Sequence, residues 1–170
     1  MAENGKLDRR FKQFTRGDCV LIKRPVPAAI AVVLKDDTVL LVRRANPPDA
    51  GKWGFPGGKI DAGESIAAAT ERELAEETGV TARSICVLTA LDAVDRDDDD
   101  HVRHHYILVA SLCRWISGEP VAADDALEAS WIRIADLDQM TSELSADVAE
   151  VARLAQRISH EQRPCDTPPD

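Results

Sequence analysis

Residues 58–80 read GKIDAGESIAAATERELAEETGV, preceded by the turn-forming Phe55-Pro56-Gly57. From Ser65 to Thr78 there is no Gly or Pro, and Ala, Glu and Leu recur, which predicts a helix of about four turns ending at Gly79. On that helix Glu73, Glu76 and Glu77 stand at i, i+3 and i+4, so three carboxylates share one face within about 6 Å of axis. Ala67, Ala68, Leu74 and Ala75 are expected on the other side, small enough to dock closely on a sheet.

Like charges at this spacing destabilise an isolated helix by a few tenths of a kcal/mol per pair, about the size of one surface ion pair. Arg72, four residues before Glu76, can hold one carboxylate. The remaining acids suit a hard, oxygen-seeking divalent cation, Mg²⁺ foremost with Mn²⁺ as an alternative. An arbitrary E-x-x-E-E is more often a solvated helix face. Here the wider spacing decides: Gly58, five residues to Glu64, seven to Arg72-Glu73-Leu74, then Glu76-Glu77 and Gly79-Val80. This fits G-x5-E-x7-R-E-U-x-E-E-x-G-U, with U apolar, at every fixed position. A chance match is on the order of 10⁻⁷ from ordinary residue usage. The chain therefore resembles a Nudix hydrolase, and the flanking pattern extends the likeness to roughly residues 26–140.

Composition bounds what such a protein does. One domain is expected from 170 residues, and 44% hydrophobic with 30% charged content is ordinary for a globular chain. A net charge of −9 argues against general affinity for nucleic acid or anionic membranes. It also means that an anionic substrate needs cations at the site. Cys19, Cys86, Cys113 and Cys165 form no C-x-x-C pair, nothing resembles a signal peptide, and no apolar run approaches the ~18 residues that span a bilayer. The expectation is a cytoplasmic protein with free thiols.

Residues 1–15 are expected to be a flexible arm, 16–160 a single domain and 161–170 a disordered tail. Cys19-Val20-Leu21-Ile22 reads as a short strand. The apolar runs 28–34 and 38–42, broken by Asp36-Asp37, predict a hairpin buried on both faces. Arg43 and Arg44 end its second strand before a loop at 46–51. Trp53 and Phe55 are expected in the core. Strands are expected at 85–94 and 101–116 around the acidic run 95–100, a solvated hairpin tip. His104 and His105 then point to opposite faces. Asp124, Asp125 and Glu128 are expected in a loop before a strand at 130–134. A short helix is expected at 135–140, and a longer one at 143–160 with Ser142 as cap and Leu144, Val148, Val151, Ala155 and Ile158 along one stripe.

The resemblance implies more. The fold would be α+β, an α/β/α sandwich whose mixed sheet lies between the box helix and a C-terminal helix. The reaction would be attack of water on phosphorus in a nucleoside diphosphate linked to a further moiety, with divalent ions neutralising phosphate oxygens and aligning the nucleophile. Carried over by position, Glu73, Glu76 and Glu77 are metal ligands, the Gly58 carbonyl a further one, and Asp125 (or Asp124) completes the set. Arg72 orients Glu76. Glu64 braces the loop, meets metal or acts as base. The general base is Glu73 or an acid from a loop, and Arg43 or Arg44 meets a substrate phosphate. The layout from Arg24 to Trp131 is similar to the bacterial ADP-ribose pyrophosphatase-like branch, although the proline that marks one ADP-ribose group about 15 residues after the box is absent. ADP-ribose or a similar sugar nucleotide is the favoured substrate. A nucleoside triphosphate sanitising enzyme and a non-catalytic nucleotide sensor are the alternatives, and a homodimer is left open.

Overall fold

The computed structural model describes residues 24–46, 49–124 and 126–161. The expectations for the N-terminal arm, for a strand at 19–22, for Asp125 and for residues 162–170 lie outside the described residues.

The fold is organised by the first hairpin. β1 (Val26–Lys35) and β2 (Thr38–Arg44) are joined at Asp36-Asp37, where Asp36 takes φ 55, the positive value that tight hairpin turns demand. The two strands pair only at Leu34↔Val39 and Lys35↔Thr38, and then diverge. β4 (Gly57–Lys59) takes the edge of β1 that β2 leaves, antiparallel at Ala28↔Lys59 to Ile30↔Gly57. On its other edge β1 runs parallel to β6 (Val102–Ser117), from Val26↔Tyr106 to Leu34↔Arg114, and β6 pairs antiparallel with β5 (Thr81–Arg96). β2 lies between β3 (Trp53–Gly54) and β7 (Ala126–Arg133), antiparallel to both. The seven strands thus form one sheet that bends at the hairpin.

Both faces of the hairpin are buried, as its unbroken apolar runs require. Ile30, Val32, Val39 and Leu41 pack with Trp53, Phe55 and the second helix, α2 (Val148–Glu161). Ala31, Val33 and Leu40 pack with Leu74 of the first helix, α1 (Ile66–Thr78), and with Val80 and Cys113. The period-two alternation therefore assigns one helix to each face, giving the α/β/α sandwich.

α1 begins where Ser65 Oγ accepts from the Ala68 amide at 3.1 Å, and it ends at Gly79, whose amide donates to the Ala75 carbonyl and whose φ of 67 turns the chain out of the helix. Its buried stripe is Ala69, Thr70, Leu74 and Thr78. Ala67, Ala68 and Ala75, expected against the sheet, are exposed. Ala68 and Ala75 lie about 100° or more around the helix from Leu74, too far to share its contact. Threonine replaces alanine at the sheet because each buried hydroxyl donates back to a carbonyl four residues earlier: Thr70 to Ile66 at 2.8 Å and Thr78 to Leu74 at 2.6 Å.

Other boundaries differ from expectation as well, and β5 begins at Thr81 where a strand is expected only from residue 85. β7 starts at Ala126, so Glu128 stands on a strand opposite Arg43 instead of in a loop. The 135–140 region forms one 3-10 turn, Ile134–Asp136, followed by further turns. α2 begins at Val148, and Ser142 does not cap it. The cause is tertiary: Leu144 is held extended beside Trp53, and the Ser145 amide donates to the Trp53 carbonyl at 2.9 Å, so helix starts only after this bridge. Val148, Val151 and Ala155 are buried as the stripe predicted.

Leu74 is fully buried at the helix–sheet contact. Leu74→Ala should cost about 2–5 kcal/mol in urea unfolding, whereas Ala68→Ser on the exposed side should change stability by less than about 0.5 kcal/mol.

Candidate active site at the glycine turn and box helix

The site is built where β4 is pressed between β1 and α1. A Cβ on Gly57 would stand 2.2 Å from the Ala29 carbonyl oxygen, and one on Gly58 would stand 2.4 Å from Glu73 Oε2. No side chain larger than hydrogen fits either position without moving backbone or carboxylate. The Ala31 amide donates to the Pro56 carbonyl at 2.8 Å, fixing the turn to the central strand. The Gly57 amide donates to Glu77 Oε2 at 3.1 Å. Glu73 and Glu77 therefore lie directly against the glycines, from the face of α1 that borders its buried stripe. The Glu73 side chain keeps 16% of its surface exposed and Glu76 keeps 51%, so Glu76 is the outward member of the trio.

Arg72 joins these acids to the loop before the helix. Its Nε and Nη2 donate to the two oxygens of Glu64, both at 2.9 Å, in a fork-to-fork pair. Nη1 donates to Glu73 Oε1 at 2.8 Å and to Glu76 Oε2 at 3.0 Å, and Nη2 also reaches the Lys59 carbonyl at 3.2 Å. The expected Arg72–Glu76 pair is present, but the two-pronged partner is Glu64. Glu64 in turn accepts from the Asp61 amide at 3.2 Å, closing the 61–64 turn. Of the three roles open to Glu64, its contacts here are those of a loop brace. A carboxylate eight residues before an arginine, just ahead of a helix cap, was the available signal for this pairing.

Hydrogen bonding from Arg72, then from the Asp61 amide, holds the Glu64 carboxyl below its usual range. The sign follows from linkage: the stabilisation is fully present above the ordinary carboxylate pKa and is lost as pH falls through the lowered one.

Three carboxylates (Glu64, Glu73 and Glu76) meet one guanidinium, and Glu77 lies beside them on the Gly57 amide, so four acids and one arginine leave three negative charges. The donor set is all hard oxygen, and the space over Gly58 is kept for a carboxylate, so the residues fit Mg²⁺ or a similar divalent ion in chemistry. Among the described residues no three Asp, Glu, His or Cys side chains converge closely enough to enclose one. Arg72 Nη1 stands between Glu73 and Glu76, and Asp125 lies outside the described residues. The chain just before Asp125 does reach the site: Val121 and Ala123 donate their amides to the carbonyls of Thr78 and Glu77, at 2.9 and 3.0 Å.

The two arginines at the end of β2 differ. Arg43 donates from Nε to the Gly51 carbonyl at 2.9 Å and from Nη1 to Glu128 Oε1 at 2.8 Å, so it ties the 45–51 loop to β7. Arg44 packs over Gly54, and its buried Nε has no hydrogen-bond partner among the described residues. The buried Ser145 Oγ, which the sequence did not single out, also has none among them and lies beside Gly54.

The acids of the hairpin tip are engaged locally. Asp95 pairs with Arg103 and His104, and Asp97 Oδ1 accepts from the amides of Asp99 and His101. His105 contacts Asp92 at 3.0 Å. Burial pushes the Cys113 thiol up to about 12, which keeps it protonated and inert.

A glycine turn, a helix with this arginine–glutamate network and a bent mixed sheet between two helices define the Nudix class. The NUDIX domain model matches residues 24–154, and the chain belongs to the Nudix family. It is similar to an ADP-ribose pyrophosphatase of Methanocaldococcus jannaschii, 33% identical over 71% of this chain and 69% of that protein. It is also similar to a putative 8-oxo-dGTP diphosphatase of Mycobacterium tuberculosis, 35% identical over 75% of this chain and 86% of that one. Among solved structures, the NUDIX domain of Shewanella oneidensis NrtR complexed with ADP ribose superposes with a TM-score of 0.65 at 28% identity, covering 85% of this chain and 94% of that domain. The chain is a Nudix pyrophosphohydrolase, and Nudix hydrolases generally need divalent metal ions. Among the described residues no helix is long and apolar enough to cross a membrane.

In a residue-resolved NMR titration Glu64 should ionise below its reference value of 4.5. Arg72→Gln should return it towards that value, because the first cause of the depression is removed.

Proposed function

We propose that this protein is a Mg²⁺-dependent hydrolase of a nucleoside diphosphate linked to a further moiety, with ADP-ribose or a similar sugar nucleotide as substrate. The carrying observation is the pairing of Glu73 and Glu77 against Gly57 and Gly58, with Arg72 bonded to Glu73 and Glu76 beside them. The relative in M. jannaschii supports the substrate class.

Glu73, Glu76 and Glu77 would hold such an ion, and the Gly58 carbonyl and Asp125 would be further ligands. When bound, a divalent ion neutralises phosphate oxygens, makes an attacking water more acidic and fixes the line of attack. Arg72 keeps Glu73 and Glu76 in fixed rotamers, and Glu64 keeps Arg72 in place. Glu73 Oε2, the oxygen over Gly58 that Arg72 does not engage, is the atom we assign to receive the proton of the attacking water. Arg43 or Arg44 meets the substrate phosphate, and Arg44 is favoured because Nε and Nη1 of Arg43 already donate to Gly51 and Glu128. Water attacks phosphorus, the anhydride bond breaks, and AMP and ribose 5-phosphate leave. The M. tuberculosis relative favours a second reading, hydrolysis of an oxidised nucleoside triphosphate to its monophosphate and pyrophosphate.

A hydrolysis panel with product identification separates the two: AMP with ribose 5-phosphate, or pyrophosphate. Turnover should require Mg²⁺, and activity that survives EDTA unchanged would refute the mechanism. Glu76→Gln and Glu77→Gln should each lower kcat by about 10²-fold or more while the protein stays folded. Arg44→Ala should raise KM about tenfold, with Arg43→Ala affecting stability more than KM.

A further inference from the structure

The C-terminal end of α1, which carries Glu76 and Glu77, is covered by the chain that leaves β6 at Gly118. Gly118 takes φ 95, and a Cβ there would stand 2.9 Å from the Gly79 carbonyl oxygen, so the two turns are in direct contact. The amides of Val121 and Ala123 then satisfy the carbonyls of Thr78 and Glu77, two of the last-turn acceptors that a helix leaves without internal partners. The same segment leads within two residues to Asp125.

Three strands hold this segment through one lysine. Lys35, at the end of β1, ion-pairs with Glu119 at 2.9 Å. Its Nζ lies 4.4 Å from the Trp115 ring centroid on β6 and 5.4 Å from that of Trp131 on β7. Trp115 Nε1 donates to the Gly118 carbonyl at 3.1 Å, at the root of the segment. An exposed ion pair alone contributes little, and Glu119 is 72% exposed. A cation held over two indole faces adds to it and fixes where the ammonium sits, and therefore where Glu119 can be. Lys35 also holds the Glu119 carboxyl below its usual range.

We propose that Lys35, seated on Trp115 and Trp131, is a positioning residue for the metal-binding end of the box helix. It anchors Glu119, and Glu119 docks the 118–124 segment on the carbonyls of Glu77 and Thr78. Loss of the clamp frees the segment and loosens the last turn bearing Glu77. The inference rests on the proposed metal-dependent reading only in its last step, since the docking itself concerns backbone hydrogen bonds.

The test compares Lys35→Met, Lys35→Arg and Glu119→Gln with the wild type by amide exchange of Val121 and Ala123, by calorimetric Mn²⁺ binding to the substrate-free protein, and by kcat and KM. Lys35→Met should speed exchange at both amides about tenfold. It should also weaken Mn²⁺ binding severalfold and lower kcat more than it raises KM. Lys35→Arg, which keeps a cation over the rings, should restore all three. Glu119→Gln, at an exposed position, should shift them in the same direction and serves if Lys35→Met does not fold. Wild-type exchange at Val121 and Ala123 in these variants would overturn the clamp. Faster exchange with wild-type Mn²⁺ affinity and kcat would overturn its role in positioning. A wild-type protein that neither binds Mn²⁺ nor hydrolyses any nucleotide would instead overturn the functional reading, and the exchange rates would still decide the clamp.

Discussion

The constraint on which the site depends is that one guanidinium must hold three carboxylates. Arginine has five N–H donors in a rigid plane, and Arg72 engages all five: two with Glu64, one each with Glu73 and Glu76, and one with the Lys59 carbonyl. Glu73 and Glu76 both accept from its Nη1, which offsets the like-charge repulsion between neighbours on one helix face. Lysine could not replace it, because a compact ammonium has three donors and no plane with which to orient three carboxylates at once. Glu77 lies outside this arrangement and is held by the Gly57 amide instead. Helix and glycine turn thus share the work of placing the acids.

That division makes the central hairpin a part of the site. β1 is the strand against which β4 lies, and β4 can lie there only because β2 turns away after two residue pairs. The glycines then fill a gap that has no room for a side chain on either flank: Ala29 and Ile30 on one side, Glu73 on the other. The same bend carries β2 towards β7 and brings Arg43, Arg44 and Glu128 to the rim. Packing of Leu74 on Ala31, Val33 and Leu40 sets the position of α1, and with it the position of every carboxylate on its bordering face.

What could be read from the sequence was whatever local spacing controls. The i, i+3, i+4 glutamates, the capped helix, the doubly buried hairpin and the buried Trp53 and Phe55 are short-range or compositional facts, and the structure has them. What escaped depends on contacts distant in sequence. The start of α2 is delayed by the bridge of Leu144 to Trp53, about 90 residues away along the chain, so an unbroken helical pattern from Glu143 misled. The buried stripe of α1 includes two threonines whose hydroxyls bond their own helix, which composition alone reads as polar. Glu128 was placed in a loop because no hydrophobic alternation announces the first half of β7, whose pairing is supplied by β2. The Arg72–Glu64 pair spans a turn and a helix start, and no fixed periodicity predicts it.

Charge connects the site to the whole molecule. The chain carries a net −9, and the network around Arg72 adds its own local surplus of carboxylate. A protein that merely needed a stable helix would gain nothing from this surplus, since breaking up like charges on a helix face is stabilising. Retaining three glutamates on one arginine with a fourth beside them costs stability, and strain or uncompensated charge of this kind belongs to functional sites. The cost is confined by geometry: the acids sit on a rigid helix, braced from below by the sheet and from one end by the Lys35-anchored segment, so cation binding requires little further ordering of the backbone. Arg44, packed beside Gly54, has a buried Nε that finds no hydrogen-bond partner among the described residues, a second place where polar bonding is left incomplete near the glycine turn.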